Sequence, residues 1–315
     1  VHAERCVFDL RRAKTRGLMV TIGAAPPPPP PPAEDILVIN DADQSVAIYD
    51  STLPMDDPKA MLWRWRKADD PTVTSGLTGG FAEGKPFADG TQVGVAGGGG
   101  WAIIDRATCK AVAFGTAGGS PHTIERIGAN IVAVASTTGA HAVYLYDIEG
   151  EKALNPSQQH AKSFGFHYPH GLCWDAAASR LYVADSDGLH RCVVGYDGTT
   201  FTLTKEKSFP SSAAGVTHIH DLRPIAGTTV LAMSSIEKLI FFDTATEKWL
   251  KERFITCPDA KSFDPSADAQ RFILSIPETS WITSTATLLE RGRFSAYRHR
   301  TGGQFYKIRW MPRVK

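Results

Sequence analysis

The sequence predicts an all-β chain, a six-bladed β-propeller with four antiparallel strands per blade. Two observations carry this. Six pairs of strand-like runs joined by short polar or Gly-rich turns recur from residue 36 onward, and a His- or Lys-led segment stands at one register before each of the last four pairs. A third is negative: no long amphipathic helix reads in the domain, and 281–289 is the one short candidate. Four strands recurring every ~40–55 residues is the signature of a propeller blade.

The elements follow in chain order. Residues 11–16 are basic, 17–25 form a short apolar run, and 26–32 are all proline. The first two resemble the n- and h-regions of a signal peptide. The prolines form a stiff spacer. Residues 1–34 are therefore expected to be a leader or disordered segment with a polyproline linker, and 35–315 the propeller domain. Localisation stays open, with the leader-like segment tilting it toward export.

The strand pairs are 36–50, 93–104, 131–147, 181–197 and 230–243, with a sixth of 272–276 and 294–297. A third run follows each: 61–67, 110–115, 162–166, 201–205, 250–255 and 305–310. Their alternation and β-branched or aromatic content suit half-buried antiparallel strands. Residues 74–87 serve the second blade. The first pair has no inner strand before it, so the ring closes with N-terminal residues or with 305–310. Trp63, Trp65, Trp174 and Trp310 are expected between blades, with Arg64, Arg66, Lys307 and Arg309 facing solvent.

Composition excludes some functions. The chain has 315 residues, is 43% hydrophobic and carries a net charge of +1 with the signs mixed. That is no footprint for nucleic acid or an anionic membrane. No apolar run approaches the ~18 residues of a membrane span. Five scattered cysteines without a C-x-x-C read as buried thiols and give no cysteine zinc site.

The repeats carry the chemistry. They begin His122-Thr-Ile-Glu, His170-Gly-Leu-Cys, His220-Asp-Leu-Arg and Lys261-Ser-Phe-Asp, and the next strand starts 9, 11, 10 and 11 residues later. Equal register brings three imidazoles and one amine to one mouth of the central channel. Three neutral imidazoles suit a divalent metal (Zn, Mn or Ca) with an open position for water or substrate. Without metal, one histidine serves as base and another as acid. His170 and Lys261 are the catalytic candidates, and His122, His170 and His220 the metal candidates. Asp41, Asp185 and Asp187 lie in turns facing the mouth and are candidates for binding substrate. Glu125 and Asp221 belong to the same set, although alternation would point them to the opposite strand face. The long turn 277–292 would cover the mouth. The glycines at 97–100 lack the following helix of a phosphate loop and read as a turn or a close backbone approach.

The stretch from Pro169 to Asp197, PHGLCWDAAASRLYVADSDGLHRCVVGYD, resembles a repeat of the NHL and SMP-30-like six-bladed propellers. The wider pattern covers 36–310, from ILV-x-N-D through Trp63-x-Trp65 to Phe-Tyr-Lys-x-Arg-Trp. It is similar to a family of uncharacterised bacterial propeller proteins, which implies the fold and lends no activity. By architectural likeness to histidine-lined propeller lyases and hydrolases, the expectation is an enzyme. It would be a metal-assisted lyase or hydrolase for a small polar or saccharide substrate, acting as a monomer. The alternative is a non-catalytic propeller that binds a protein or glycan.

Overall fold

The computed structural model describes residues 34–154 and 162–314. The leader-like and polyproline segments lie outside them. Six antiparallel sheets make the six blades. The second to fourth run from the innermost strand outward in chain order. The second is Phe81–Phe87, Gln92–Gly97, Gly100–Asp105 and Lys110–Thr116; the third is Pro121–Ile127, Ile131–Ser136, Ala142–Asp147 and Lys162–Gly165. The fourth is Gly171–Asp175, Arg180–Ala184, Gly188–Tyr196 and Phe201–Pro210. The fifth opens with Ile219–Pro224, Val230–Ser235 and Lys238–Asp243, and its outer strand is split into Lys248–Trp249 and Ile255–Thr256. The sixth is Ser262–Pro265, Arg271–Ser275, Thr285–Glu290 and Arg293–His299.

The first blade closes the ring. Glu34–Asn40, Ser45–Tyr49 and Met61–Arg66 take Phe305–Pro312 as their innermost strand, with Ile36 opposite Trp310 and Val38 opposite Ile308. Closure removes the open sheet edge that would otherwise pair with other chains. The strand read as the outer run of blade six is therefore the inner strand of blade one. The residues 285–290 are a strand, not part of a short helix or a long turn. Arg271–Ser275 on one side and Arg293–His299 on the other complete their backbone pairing. The loop over the mouth shrinks to 276–284.

Apolar residues from facing blades form the core. Trp65 and Trp310 are buried there, as the alternation implied, and Arg64 reaches solvent. Each fully buried Val, Leu or Ile contributes about 1.5–3 kcal/mol of transfer free energy. Lys307 and Arg309 depart from expectation: both side chains are fully buried. Cys173, Cys192 and Cys257 are buried free thiols. No described helix is long and apolar enough to cross a membrane.

One local device aims the inner strands. Pro121 and Thr123 pair with Ser136 and Ala135, so His122 is an extra residue. His220 is extra between Ile219 and Asp221, and Ala82 between Phe81 and Glu83. In the closing strand, two residues, Tyr306 and Lys307, stand opposite Ile39 alone. Such a β-bulge re-aims side chains that strict alternation would send to opposite faces. In blades four and six, His170 and Lys261 sit one residue ahead of the strand and donate their backbone N–H to Ala184 and Ser275, both at 2.9 Å.

Candidate functional site

The inner strands fill the axis below the mouth with charge. Arg309 grips both oxygens of Glu83 at 3.0 Å and donates to Asp221 at 2.7 Å. Lys307 lies 3.2 Å from Glu83 and 3.5 Å from Asp221, and donates to the His122 carbonyl at 3.1 Å. Lys85 pairs with Glu125 at 2.8 Å and Arg223 with Asp264. Four carboxylates meet four cations, so a net charge of zero is buried. The Arg309, Lys307 and Lys85 charges hold the Glu83 carboxyl below its ordinary range although burial pushes it up. Asp221 is held low in the same way by Arg309 and Lys307.

Above this plug lies a blind cup of about 590 Å³. His122, His170, His220, Lys261 and Tyr306 line it, with Asp41, Ser120, Thr138 and Trp281 nearer the rim. The three imidazoles form an arc, with ring centroids 4.9 Å apart for His122 and His170 and 5.2 Å for His170 and His220. Lys261 Nζ continues the arc 3.5 Å from His220 Nδ1 and is paired with Asp259. The register argument thus brings together the four residues it named.

Local backbone sets the imidazoles. His122 Nδ1 lies 2.9 Å from the Ser120 carbonyl, and His170 Nδ1 lies 2.8 Å from the Tyr168 carbonyl. In each case the acceptor is two residues upstream, so the repeat recreates one contact twice. A carbonyl only accepts, so Nδ1 carries the proton and Nε2 keeps its lone pair. The Thr137 hydroxyl adds a contact to His122 Nδ1 at 2.8 Å. His220 breaks the pattern. Its Nδ1 lies 3.5 Å from Lys261 Nζ and 3.9 Å from Asp259 Oδ1; the ammonium only donates and is the nearer, so Nδ1 accepts and Nε2–H is the donor.

All three rings are held neutral. Burial pushes His122 and His220 down to about 4, aided at His220 by Lys261 and at His122 by Lys307. Burial and its two imidazole neighbours push His170 well below the ordinary value. Burial raises the Tyr306 phenol and keeps it a donor. Its ring meets His122 edge-on at 5.8 Å, and no hydrogen bond engages its hydroxyl among the described residues. Tyr306 holds in the closing strand the place His122 holds in blade three. The same register would have found it had that strand been read as an inner one.

Other expected residues lie elsewhere. Asp41 does line the cup. Glu125 and Asp221 belong to the charge plug beneath it, because the bulges at His122 and His220 turn the following residues toward the axis as well. Asp185 is buried in its own turn, accepting the backbone N–H groups of His167, Asp187 and Gly188 and standing 2.9 Å from His190 Nε2. Asp187 pairs with His167 at 2.9 Å on the exposed surface and does not line the cup. His190 is buried beside Asp185. The glycine run packs against backbone: a Cβ on Gly98 would come within 2.3 Å of the Gly79 nitrogen.

A divalent ion needs three or four donors around one point at about 2.0–2.2 Å. Among the described residues, no three His, Cys, Asp or Glu groups are so arranged. The Lys261 ammonium beside His220 also opposes a dication there.

Residues 59–314 match the model of a family described as "Family of unknown function (DUF6528)". The comparison with curated proteins returns no match. Solved propellers resemble the chain in fold. The Cps50 (Swd1) β-propeller domain of Myceliophteria thermophila is 13% identical with a TM-score of 0.53, over 86% of each chain. A putative 6-phosphogluconolactonase from Bacteroides fragilis is 11% identical with a TM-score of 0.56, over 88% of this chain and 98% of that one. At these identities the likeness concerns the fold alone.

Proposed function

The chain belongs to the DUF6528 family, and from that premise we propose that the mouth is the active site of a hydrolase or lyase for a small polar substrate, working by proton transfer. The carrying observation is the half-buried arc of three neutral imidazoles with two tautomers fixed by backbone carbonyls. His170, central in the arc, is the base: it lines the cup, and the bond from its Nδ1 to the Tyr168 carbonyl leaves the lone pair on Nε2. In hydrolysis it takes a proton from water as the hydroxide adds to the substrate carbon, and returns that proton to the leaving group. His220 Nε2–H and the Tyr306 hydroxyl donate to the oxygen that gathers negative charge. Lys261, anchored by Asp259, keeps His220 in its donor tautomer.

A base pushed this low is weak in the empty cup. Negative charge developing on the substrate beside it raises its proton affinity when the proton moves.

The test is turnover by the full chain on a panel of chromogenic esters, lactones and glycosides, before and after chelation. His170→Ala should cost about 10²–10⁴ in kcat, the usual worth of a general base, with the fold unchanged. Turnover that dies on chelation and returns with Zn²⁺ or Mn²⁺ would show a metal-assisted reaction. The alternative, a binding propeller, would stand if the panel gave no turnover.

A further inference from the structure

Trp281 is 60% exposed and stands at the rim of the cup. An indole left in water beside a polar cavity offers a large flat surface at little entropic cost. The loop that carries it is built, not slack. Ile282 N–H donates to the Thr279 carbonyl at 3.1 Å, closing a hairpin turn over Ser280 and Trp281. Ser280 takes a φ of 56° there, a left-handed conformation that costs a non-glycine residue free energy. Thr283 exchanges backbone bonds with Phe305 at 3.0 and 2.7 Å, tying the loop to the strand that carries Tyr306. Glu278 accepts from the Ser284 N–H at 3.0 Å and its hydroxyl at 2.7 Å, which fixes the loop's base.

The charge inside the cup limits what the platform faces. Its charged lining consists of Asp41 and Lys261, which cancel (−1 + 1 = 0), and Lys261 is already paired with Asp259. A phosphate or a strongly anionic ligand needs a cluster of cations or a bidentate arginine, and no arginine lines the cup. What remains is a mixed set of donors and acceptors: imidazole nitrogens, a phenol and the hydroxyls of Ser120 and Thr138. That set matches a ligand rich in hydroxyl groups.

We propose, resting on the reading of the mouth as a ligand site, that Trp281 is a stacking platform for an uncharged saccharide ring and that the cup takes neutral saccharides in preference to phosphorylated or carboxylated ones. The ring's apolar face lies on the indole and its hydroxyls reach down to the arc.

The experiment is calorimetric titration of the full chain with maltose, cellobiose and lactose, and with glucose 6-phosphate and glucuronic acid as charged counterparts. At least one neutral sugar should bind, with an affinity nearly independent of salt. Trp281→Ala should weaken it about tenfold, the scale of one aromatic contact, and Trp281→Phe should restore most of it. Thermal unfolding should be unchanged, since the side chain is mostly in solvent. Tighter binding of the charged sugars, equal binding by Trp281→Ala, or no binding by any neutral probe would overturn the proposal. Two variants separate the two readings: His170→Ala should cost about 10²–10⁴ in turnover, whereas Trp281→Ala should act on sugar binding. Turnover lost in His170→Ala with binding unaffected by Trp281→Ala sinks the platform alone. Turnover unaffected by His170→Ala sinks the catalytic reading alone.

Discussion

The same inner strands build two layers with opposite electrostatics. At the mouth, His122, His170 and His220 are titratable, neutral and offer unpaired nitrogens to the cup. One step down, Glu83, Asp221, Lys307 and Arg309 are fully charged and spend their hydrogen bonds on each other. The plug is fully buried, whereas His122 and His170 are half-buried and His220 is buried beside them, so burial alone does not divide the layers cleanly. Partner count does. A buried charge survives only when paired, and the plug meets that condition, whereas the imidazoles avoid it by staying neutral. The lower layer can hold the ring closed and block the channel. The upper layer keeps proton-binding capacity in reserve.

Breaking the plug should have the largest effect. Arg309→Met removes the cation gripping both Glu83 and Asp221 and leaves two buried carboxylates facing Lys307. Stability should fall by about 3–5 kcal/mol, the cost of orphaning a buried charge. Urea denaturation measures it. Removal of residues 304–315 takes away Arg309, Lys307 and the whole inner strand of blade one, and should abolish soluble expression. A truncated chain that stays folded and monomeric would show that ring closure does not depend on this strand.

Acid should discriminate the layers by where stability is lost. His122 and His220 sit near 4 in the folded chain against about 6.5 unfolded. Between those values the unfolded chain binds more protons, so stability falls as pH drops from about 6.5 through 4. Each ring accounts for about 3 kcal/mol over that window. The plug carboxylates are depressed, so their contribution is full above the ordinary carboxylate range and is lost only as pH falls through and below it. His122→Gln with His220→Gln should make the stability curve shallower between pH 6.5 and 4, leaving the share that His170 carries, and leave the loss below pH 4 intact. An unchanged slope in the double variant would mean the rings are not held neutral.

The contrast also explains what could be read in advance. The ring and the His122–His170–His220–Lys261 set were legible because repetition fixes register, and register fixes place around an axis. Partnership was less legible. The 285–290 run reads as part of a short helix or of the long turn 277–292, and 305–310 reads as a strand; nothing in their composition says which strand lies beside them. The 305–310 run is open between the third run of blade six and the strand that closes the ring; the structure uses it for closure, and reading its side chains as those of an outer strand hid Tyr306 and sent Lys307 and Arg309 to solvent. The bulges were the other loss. One extra residue at His220 turns Asp221 to the axis, and alternation without the bulge puts it on the wrong face. Asp185 misled because an aspartate in a turn facing the mouth can spend itself on the turn's own N–H groups.

The smallest expected effect tests how finely the upper layer is tuned. Thr137 Oγ1 lies 2.8 Å from His122 Nδ1 and 3.2 Å from the Ser120 carbonyl, the same oxygen that lies 2.9 Å from Nδ1. One Nδ1 proton cannot serve both well, and the carbonyl is a pure acceptor while the hydroxyl can turn and donate elsewhere. Thr137→Val should therefore leave the tautomer of His122 as it is. Stability should fall by about 1 kcal/mol, the net worth of one hydrogen bond, and turnover should change little beside the loss in His170→Ala. Nitrogen chemical shifts of the labelled imidazole check the tautomer directly. A switch of the proton to Nε2 in this variant would mean that the threonine hydroxyl sets the ring. The resemblance between His122 and His170 would then reach no further than their backbone geometry.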